Sequence, residues 1–361
     1  MKILIATGIY PPDIGGPATY SKFLYDELPK RGHSVEALSF GEVRELPKII
    51  RHIIYFFKVL NRARKCDIIF AQDPVSVGLP AMLASKILRK KFLIRVAGDY
   101  AWEQAVQRFA VREGIDKFQF KRYGLKLELL RLIQKFVIRR AGKVITPSHY
   151  FNKIVSGWIG GGDKVETIYN GINLSRDNAT VRRSNNSKFK KIISAGRLVP
   201  WKGFVTLIKI MNNLPEWRLV IAGDGPMKDE LNNLIISLGL EDKVKLAGAL
   251  PREELLSELR TSDLFILNTS FESFSFQTVE AMNMGAPVIA TNIGNLKEIV
   301  EDGKDGILID PDNEGQILSA IKKIAEDENF RDSIVQNAKK KSERFSIEKT
   351  LDNLIEVMAK L

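Results

Sequence analysis

The 361-residue chain lacks the residues that disulfide-rich, zinc-binding and membrane-spanning proteins need. Its one cysteine, Cys66, excludes an internal disulfide and a cysteine-rich zinc site. Its histidines, His33, His52 and His149, are far apart in the sequence, which argues against a histidine-based metal site. No apolar run reaches the ~18 residues of a membrane-spanning helix. The first apolar run is broken at Gly8 and predicts a strand, not a signal peptide.

Length and composition predict an ordinary globular protein of two domains. A chain of 361 residues is too long for one typical hydrophobic core. The apolar fraction of 45% and the charged fraction of 27% are those of an average globular protein. The near absence of cysteine suits a reducing compartment, and we therefore expect a cytoplasmic protein.

Positive charge is concentrated in the first half of the chain. The net charge is +12, and residues 1–180 contain 30 Lys and Arg against 16 Asp and Glu. Residues 181–361 contain 25 Lys and Arg against 27 Asp and Glu. The whole excess of positive charge therefore lies in the first half. This asymmetry predicts an anionic partner for that half, which is a membrane surface, a lipid phosphate or a nucleic acid.

Strand-like and helix-like segments alternate along both halves of the chain. This alternation predicts an α/β protein with a doubly wound parallel sheet in each half. The predicted strands of the first half are 2–8, 33–40, 67–71, 91–97, 144–146 and 165–169. Those of the second half are 191–197, 218–222, 243–246, 264–267, 287–291 and 306–309.

A polar stretch without periodicity, 175–189, separates the two halves. We therefore predict a first domain over 1–175, a linker over 176–189 and a second domain over 190–345. The last segment, 346–361, predicts a C-terminal helix that can cross back to the first domain.

Two glutamates, Glu272 and Glu280, are the most informative feature of the sequence. Glu272 follows the predicted strand 264–267, and Glu280 lies about two turns into the next helix. Both carboxylates can then face one cleft at the carboxyl end of a parallel sheet, beside a helix start that suits phosphate. Carboxylates that bind hydroxyls beside a phosphate site indicate a sugar nucleotide. The alternative is that Glu272 caps the helix and Glu280 is a solvated surface residue.

Two cations follow the first strand of the second half. Arg197 and Lys202, five residues apart, can hold a diphosphate and offset charge on a leaving group. The alternative is two exposed charges in a loop. Asp310 and Asp312 form an Asp-x-Asp pair, but their place between a strand and a helix favours helix capping over metal binding.

Taken together, these residues resemble the signature of the family-four retaining glycosyltransferases. The segments that carry the resemblance are 194–203, 222–226, 246–251, the double-glycine loop 11–17 and the glutamate pair. The resemblance implies a GT-B fold, in which two Rossmann-like domains face a central cleft. It implies transfer of a hexose-type sugar from a nucleoside diphosphate sugar to an acceptor hydroxyl. Lipid-linked saccharides of polysaccharide or glycolipid synthesis are among such acceptors.

The resemblance also implies roles for individual residues. Arg197, Lys202 and Glu272 are expected to act in catalysis, with Glu272 on the sugar hydroxyls and Glu280 on the ribose. The other residues expected to contact the sugar-nucleotide donor are Gly15, Gly16, Gly248, Ala249, Leu250, Phe274, Ser275 and Phe276. No cofactor and no metal ion are expected, because cations and helix termini replace the metal.

The chain departs from the family pattern at two places. Many members carry a histidine after the fourth strand of the first domain, whereas the segment 95–103 has none. Asp99 is the best substitute, and it either positions the sugar or the acceptor hydroxyl or caps the next helix. Ser273 and Ser275 stand where the family often has glycine.

Two basic segments of the first half are candidates for membrane contact. The segment 48–64 predicts a helix whose apolar residues cover an arc of roughly 160°. This helix either packs on the sheet through that arc or docks on an anionic membrane. The segment 117–126 interleaves aromatic and basic residues ahead of a second helical stretch. We expect peripheral association with the inner face of the plasma membrane and no nucleic-acid partner, because no nucleic-acid-binding module is recognisable.

Two other functions fit the same features. A nucleotide-sugar 2-epimerase of the same architecture would need no acceptor. A non-catalytic protein that binds sugar nucleotides or membranes would account for the missing histidine.

Overall fold

The computed structural model describes residues 1–13, 15–174 and 189–361, without the side chains of residues 48 and 49. The chain forms two compact units, Met1–Asn170 with Glu348–Leu361, and Gly171–Ile347. The linker predicted over 176–189 lies outside the described residues, apart from residue 189. Among the helices that are described, none has both the length and the hydrophobicity needed to cross a bilayer.

The first unit is built on a parallel six-stranded sheet in the order β2-β1-β3-β4-β5-β6. Its strands are β1 Lys2–Thr7, β2 Ser34–Ser39, β3 Ile68–Ala71, β4 Lys91–Arg95, β5 Lys143–Thr146 and β6 Val165–Thr167. The central strand β3 is buried along its whole length, as expected for a sheet covered on both faces. The predicted doubly wound parallel sheet is therefore confirmed in this unit.

Helices connect these strands and cover the sheet. They are α1 Gly16–Glu27, α2 Lys48–Ala63, α3 Gly78–Leu88, α4 Tyr100–Phe109, α5 Ile115–Phe118, α6 Leu125–Arg140 and α7 His149–Ile159. Side-chain caps fix the starts of two of them, since Asp99 accepts from the Trp102 amide and Ser148 from the Phe151 amide.

The second unit repeats this architecture with the strand order β12-β11-β10-β7-β8-β9. Its strands are β7 Lys190–Ala195, β8 Trp217–Ala222, β9 Val244–Gly248, β10 Leu264–Leu267, β11 Val288–Thr291 and β12 Ile307–Ile309. Its helices are α8 Phe204–Ile210, α9 Lys228–Ser237, α10 Arg252–Arg260, α11 Phe276–Met284, α12 Leu296–Ile299, α13 Glu314–Glu326 and α14 Glu328–Ser342. The neighbouring strands β10, β7 and β8 end at one edge, where the segments with predicted site residues begin.

The last helix, α15 Ile347–Ala359, belongs to the first unit from Glu348 onwards. The Thr350 hydroxyl donates a hydrogen bond to the Tyr169 carbonyl oxygen at 2.8 Å. Arg31 forms an ion pair with Asp352, with 2.8 Å between Nη1 and Oδ1. The C-terminal helix is thus held to the part of the chain that contains β1 to β6.

The orientation of α2 contradicts packing on the sheet through its predicted apolar arc. Two residues of that arc, Ile53 and Phe57, are 51% and 59% exposed. The helix instead buries Tyr55, Val59 and Ala63. Apolar residues thus occur on two sides of α2. The side that packs on the rest of the unit is not the one with the wider apolar arc.

Candidate active site

Two loops at the carboxyl edge of the second sheet are tied together by backbone contacts. The loop after β7 presents the Trp201 carbonyl oxygen, which accepts from the Ser270 amide at 2.8 Å and from the Thr269 hydroxyl at 2.9 Å. Thr269 and Ser270 belong to the loop after β10. Gly203 has a φ of 58°, and a Cβ there would lie 2.3 Å from the Asn268 carbonyl oxygen. The close approach of the loops therefore requires glycine at this position.

Lys202 and Glu272 meet where these two loops join. The Lys202 ammonium forms an ion pair with Glu272 Oε2, and the two side chains are only 10% and 14% exposed. The sequence predicts that Lys202 holds a diphosphate, and the family resemblance implies that Glu272 contacts sugar hydroxyls. The structure brings the two residues together at one point and lets each neutralise the other.

Glu280 lies on α11 and is buried, with 6% of its surface exposed. Its Oε1 lies 3.0 Å from Nη2 of Arg252, the first residue of α10. Burial raises the pKa of Glu280, and the Arg252 guanidinium opposes that rise. Glu280 is therefore a buried carboxylate whose cationic partner is the first residue of the helix that follows Gly248, Ala249 and Leu250.

The start of α11 lies between the two glutamates, as predicted. Ser275 caps the helix, because its hydroxyl accepts from the Thr278 amide at 3.2 Å. The alternative interpretation of the glutamates is thus wrong on both counts, since Glu272 is not the cap and Glu280 is not solvated. The Phe274 ring is buried and packs edge-on to Phe276 at 5.7 Å between centroids.

Serine at 273 and 275 is compatible with the backbone of this loop. Ser275 has a φ of −98°, and Ser273 is not among the residues with positive φ. Neither position requires the conformational freedom of glycine. The departure from the family pattern is therefore compatible with the start of α11, where the Thr278 amide already donates to the Ser275 hydroxyl.

A turn after β8 supports the loop after β7. A Cβ on Gly223 would lie 1.9 Å from the Gly196 carbonyl oxygen, and the Gly223 amide donates to the Gly248 carbonyl oxygen at 2.7 Å. The turn also interlocks with Leu198, whose amide donates to the Asp224 carbonyl oxygen. Arg197, between Gly196 and Leu198, is exposed at this edge.

The Asp-x-Asp pair does not cap a helix, which corrects the prediction for it. The cap of α13 is Asn313, which accepts from the Gln316 amide. Asp312 has a φ of 57° and accepts from Asn268 Nδ2 at 2.8 Å, while Asp310 bonds to Gln316. Within the described ranges, no group of three or more His, Cys, Asp or Glu residues is placed to hold a metal ion.

The first unit carries the remaining predicted residues. Gly15 and Gly16 begin α1, whose first turn has no side-chain cap. Asp99 is 1% exposed and caps α4, and its oxygens also accept from Gln119 at 2.9 Å and Gln134 at 3.1 Å. Two roles were predicted for Asp99, and the structure shows one of them, the capping of α4.

Two polar residues of the second unit were not predicted from the sequence. Arg252 pairs with Glu280, and Asn268 holds Gly203 and Asp312 in place through hydrogen bonds of 3.0 and 2.8 Å. Asn268 directly follows a buried strand and precedes the glutamate loop, which is a signal that sequence reasoning can use. Arg252 gives no such signal, because its partner is contacted only after α10 and α11 pack.

Comparison with known proteins is consistent with this geometry. A family profile described as glycosyl transferases group 1 matches residues 175–341, and one described as Glycosyltransferase Family 4 matches residues 14–176. An uncharacterized glycosyltransferase of Methanocaldococcus jannaschii is 29% identical over 94% of this chain and 93% of its own.

Two further similarities come from a curated enzyme and a solved structure. An N-acetylgalactosamine-N,N'-diacetylbacillosaminyl-diphospho-undecaprenol 4-alpha-N-acetylgalactosaminyltransferase of Campylobacter jejuni is 31% identical over 50% of this chain and 50% of its own. The crystal structure of Anabaena HepE in complex with UDP and glucose is 22% identical, covers 100% of both chains and has a TM-score of 0.79. The latter similarity establishes the GT-B fold.

Proposed function

Because the chain belongs to the group 1, family-four glycosyltransferases, we propose that it moves a hexose-type sugar from a nucleoside diphosphate sugar to an acceptor hydroxyl with retention of configuration. One observation carries this proposal. Two ion pairs flank the start of α11 at one edge of the second sheet: Lys202–Glu272, with both side chains largely buried, and Arg252–Glu280, with only the carboxylate buried. This arrangement provides cations for a diphosphate and carboxylates for hydroxyls in one place.

The proposed roles follow from the chemistry of each group. The ammonium of Lys202 and the exposed guanidinium of Arg197 contact the diphosphate, and the first turn of α11 adds backbone donors. When the diphosphate takes over Lys202, Glu272 is released to accept from sugar hydroxyls. Glu280 accepts from ribose hydroxyls, and the backbone of 248–250 lies along the base.

In the reaction, the bond between the anomeric carbon and the diphosphate oxygen breaks. The acceptor oxygen forms the new bond on the same face of the sugar, and its proton passes to the leaving phosphate oxygen. Negative charge grows on the diphosphate in the transition state, so preorganised cations lower the barrier more than they stabilise the bound donor. No metal ion is needed in this scheme.

We also propose that the acceptor is lipid-linked and that the basic first unit works at an anionic membrane surface. The excess of positive charge in residues 1–180 supports this assignment. The Campylobacter relative, whose name specifies a diphospho-undecaprenol acceptor, supports it as well.

The proposed transfer is tested by product analysis. A thermal-shift screen of common sugar nucleotides identifies the donor, and the donor is then incubated with and without lipid-linked and free saccharide acceptors. We expect free nucleoside diphosphate only when acceptor is present, and an anomeric configuration in the product that matches the donor. An epimerised sugar nucleotide formed without acceptor would establish the 2-epimerase instead, and binding without turnover would establish a non-catalytic protein.

A further inference from the structure

Three neighbouring helices of the first unit expose apolar side chains on their outer faces. α3 packs against both α2 and α6. The residues that define this outer apolar surface are Ile53 and Phe57 of α2, Ile87 of α3, and Leu129, Leu132 and Phe136 of α6. On each of the two longer helices they recur at intervals of three or four residues, which places them on one side of the helix.

The outer apolar surface is not needed to complete the core of the unit. α6 buries a different set of residues, Leu127, Gln134, Val137 and Ile138, against the rest of the unit. Leu132 and Phe136 of the same helix remain 63% and 40% exposed. Exposed apolar side chains gathered on neighbouring helices in this way indicate a binding site for another molecule or for a membrane.

A groove of about 400 Å³ lies at one end of this surface, between α3 and α6. Leu79, Leu132 and Phe136 contribute its apolar lining, and Lys135, Arg139 and Arg140 contribute its basic lining. The Arg140 guanidinium lies 3.6 Å from the centroid of the Phe136 ring. Among the residues that the structure describes, no carboxylate pairs with the three cations.

The charges around the surface are almost all of one sign. α2 and α3 contain no acidic residue, and α6 contains only Glu128, which pairs with Arg131 at 2.9 Å. An anionic lipid bilayer matches both features, because its acyl chains take up apolar side chains while its phosphates attract cations. Exposed leucine and isoleucine offer little to a nucleic acid, which binds through aromatic stacking and cations.

We propose that the outer apolar surface docks on an anionic phospholipid bilayer and that the groove holds one lipid phosphate through Lys135, Arg139 and Arg140. This inference rests on the proposed membrane-associated function and identifies the part of the first unit that makes the contact. It commits to lipid, so neither a nucleic acid nor a second copy of the chain occupies the surface.

Vesicle sedimentation of the full-length chain tests the groove. The probes are phosphatidylcholine vesicles with and without phosphatidylglycerol, at low and high salt. Each cation near an anionic surface strengthens binding about fivefold. We therefore expect the triple variant Lys135→Ser, Arg139→Ser, Arg140→Ser to bind anionic vesicles roughly 100-fold more weakly. A matched control removes the same charge from exposed sites of the second unit, with Lys209→Ser, Lys322→Ser and Lys340→Ser, and stays within about threefold of the wild type.

A second variant tests the apolar part of the surface at unchanged net charge. Phe57→Ser together with Leu132→Ser should weaken binding at least tenfold at high salt, where the contribution of charge is screened. Both side chains are exposed, so the thermal transition should stay close to that of the wild type.

The possible results separate this inference from the proposed function. If the wild type binds anionic vesicles and all variants bind equally well, the assigned surface is wrong while membrane association stands. If the wild type binds no vesicle, both the surface and the membrane part of the proposed function are wrong. If the wild type is a dimer that the apolar variant dissociates, or binds RNA in preference to vesicles, the lipid assignment is overturned.

Discussion

The two parallel sheets carry different kinds of polar residue at their carboxyl edges. In the second unit the largely buried Lys202 and Glu272 pair with each other, and the buried Glu280 pairs with the half-buried Arg252. In the first unit a guanidinium, Arg95, is 2% exposed at the end of β4 and has no carboxylate partner among the described residues. The same architecture thus contains one edge with ion pairs and one edge where the buried Arg95 has no ion-pair partner among the described residues.

Arg95 is held by contacts that do not neutralise it. Its guanidinium lies 3.9 Å from the centroid of the Tyr20 ring, and Nη2 donates to Asn170 Oδ1 at 2.8 Å. Within the described part of the chain, Nε and Nη1 have no hydrogen-bond acceptor. The buried side-chain amide of Gln72, which directly follows the neighbouring strand β3, has no hydrogen-bond partner there either. Burial lowers the pKa of Arg95 to about 10.

This difference indicates how each edge can work. A phosphate can replace Glu272 as the partner of Lys202, because the ammonium exchanges one anionic acceptor for another. Arg95 cannot gain a ligand in this way without local opening, since its surroundings already enclose it. We therefore expect substitutions at the second edge to affect catalysis strongly and substitutions at the first edge to have smaller effects.

The largest effect is expected for Lys202→Ala, which removes the cation proposed to hold the diphosphate. The turnover number should fall roughly 10²–10³-fold, as for the loss of one preorganised donor to a developing oxyanion. Arg197→Ala should have an effect of the same order. Steady-state kinetics with the identified donor measures both, and Lys209→Ala on α8 is a matched control that should leave turnover unchanged.

A near-normal turnover in the Lys202 and Arg197 variants would contradict the proposed difference between the two sheet edges. The second edge would then hold its ion pairs for stability only, as the first edge holds Arg95. A loss of turnover without a loss of thermal stability would place the two cations in the reaction.

A moderate, pH-dependent effect is expected for Arg252→Met. Burial raises the pKa of Glu280, so the folded chain keeps this proton to higher pH than the unfolded chain does. Protonation thus favours folding, and this contribution is lost as pH rises through the folded-state pKa. Removing Arg252 raises that pKa further and leaves a buried charge at neutral pH.

The free energy of unfolding of Arg252→Met should therefore be lower than that of the wild type by about 1–2 kcal/mol at pH 8. This is less than for a fully buried pair, because Arg252 is 38% exposed. The difference should shrink toward pH 5. Urea titrations at the two pH values measure this difference in the free energy of unfolding. A difference that is constant with pH would show that Arg252 does not influence the pKa of Glu280.

The placement of Lys202 and Glu272 at the second edge could be predicted from the sequence, because both residues follow buried strands at short range. Lys202 and Glu272 come a few residues after β7 and β10, and parallel strands that are neighbours end together. The pairing of Arg252 with Glu280 could not be predicted, because it depends on how α10 packs beside α11. Periodicity gives the faces of a helix but not its neighbours.

The first unit shows the same limit more clearly. The apolar arc of α2 is evident in the sequence, yet Tyr55 and Val59 on the other side are the residues that pack. Hydrophobic periodicity cannot decide which of two apolar faces of a helix packs on the rest of the protein. The helix α7 was not predicted at all, although Ser148 is a suitable cap for it.

A smaller effect is expected at Asp99, where two substitutions separate the cap from a role in the reaction. Asp99→Ala should reduce the free energy of unfolding by about 1 kcal/mol or more, because it removes the cap of α4. Asp99→Asn retains a capping oxygen and loses one accepted hydrogen bond, at a cost of about 1 kcal/mol. If the cap is its only role, turnover of Asp99→Asn at saturating substrates should stay within about threefold of the wild type.

A large loss of turnover in a folded Asp99→Asn variant would assign the carboxylate to the sugar or the acceptor. The first edge would then resemble the second, with a charged group that takes part in the reaction.

The smallest effect is expected for Arg95→Met, which replaces the enclosed charge by an apolar side chain of similar length. Relief of the desolvation cost should offset the lost stacking on Tyr20 and the lost hydrogen bond to Asn170. The free energy of unfolding should therefore change by no more than about 1 kcal/mol, and turnover should stay within a few-fold. Thermal melts and kinetics of Arg95→Met beside Lys202→Met compare the two edges directly. If Arg95→Met keeps its stability but loses turnover as strongly as Lys202→Met, the enclosed guanidinium reaches the ligand during the reaction, and the first edge opens where the structure shows it closed.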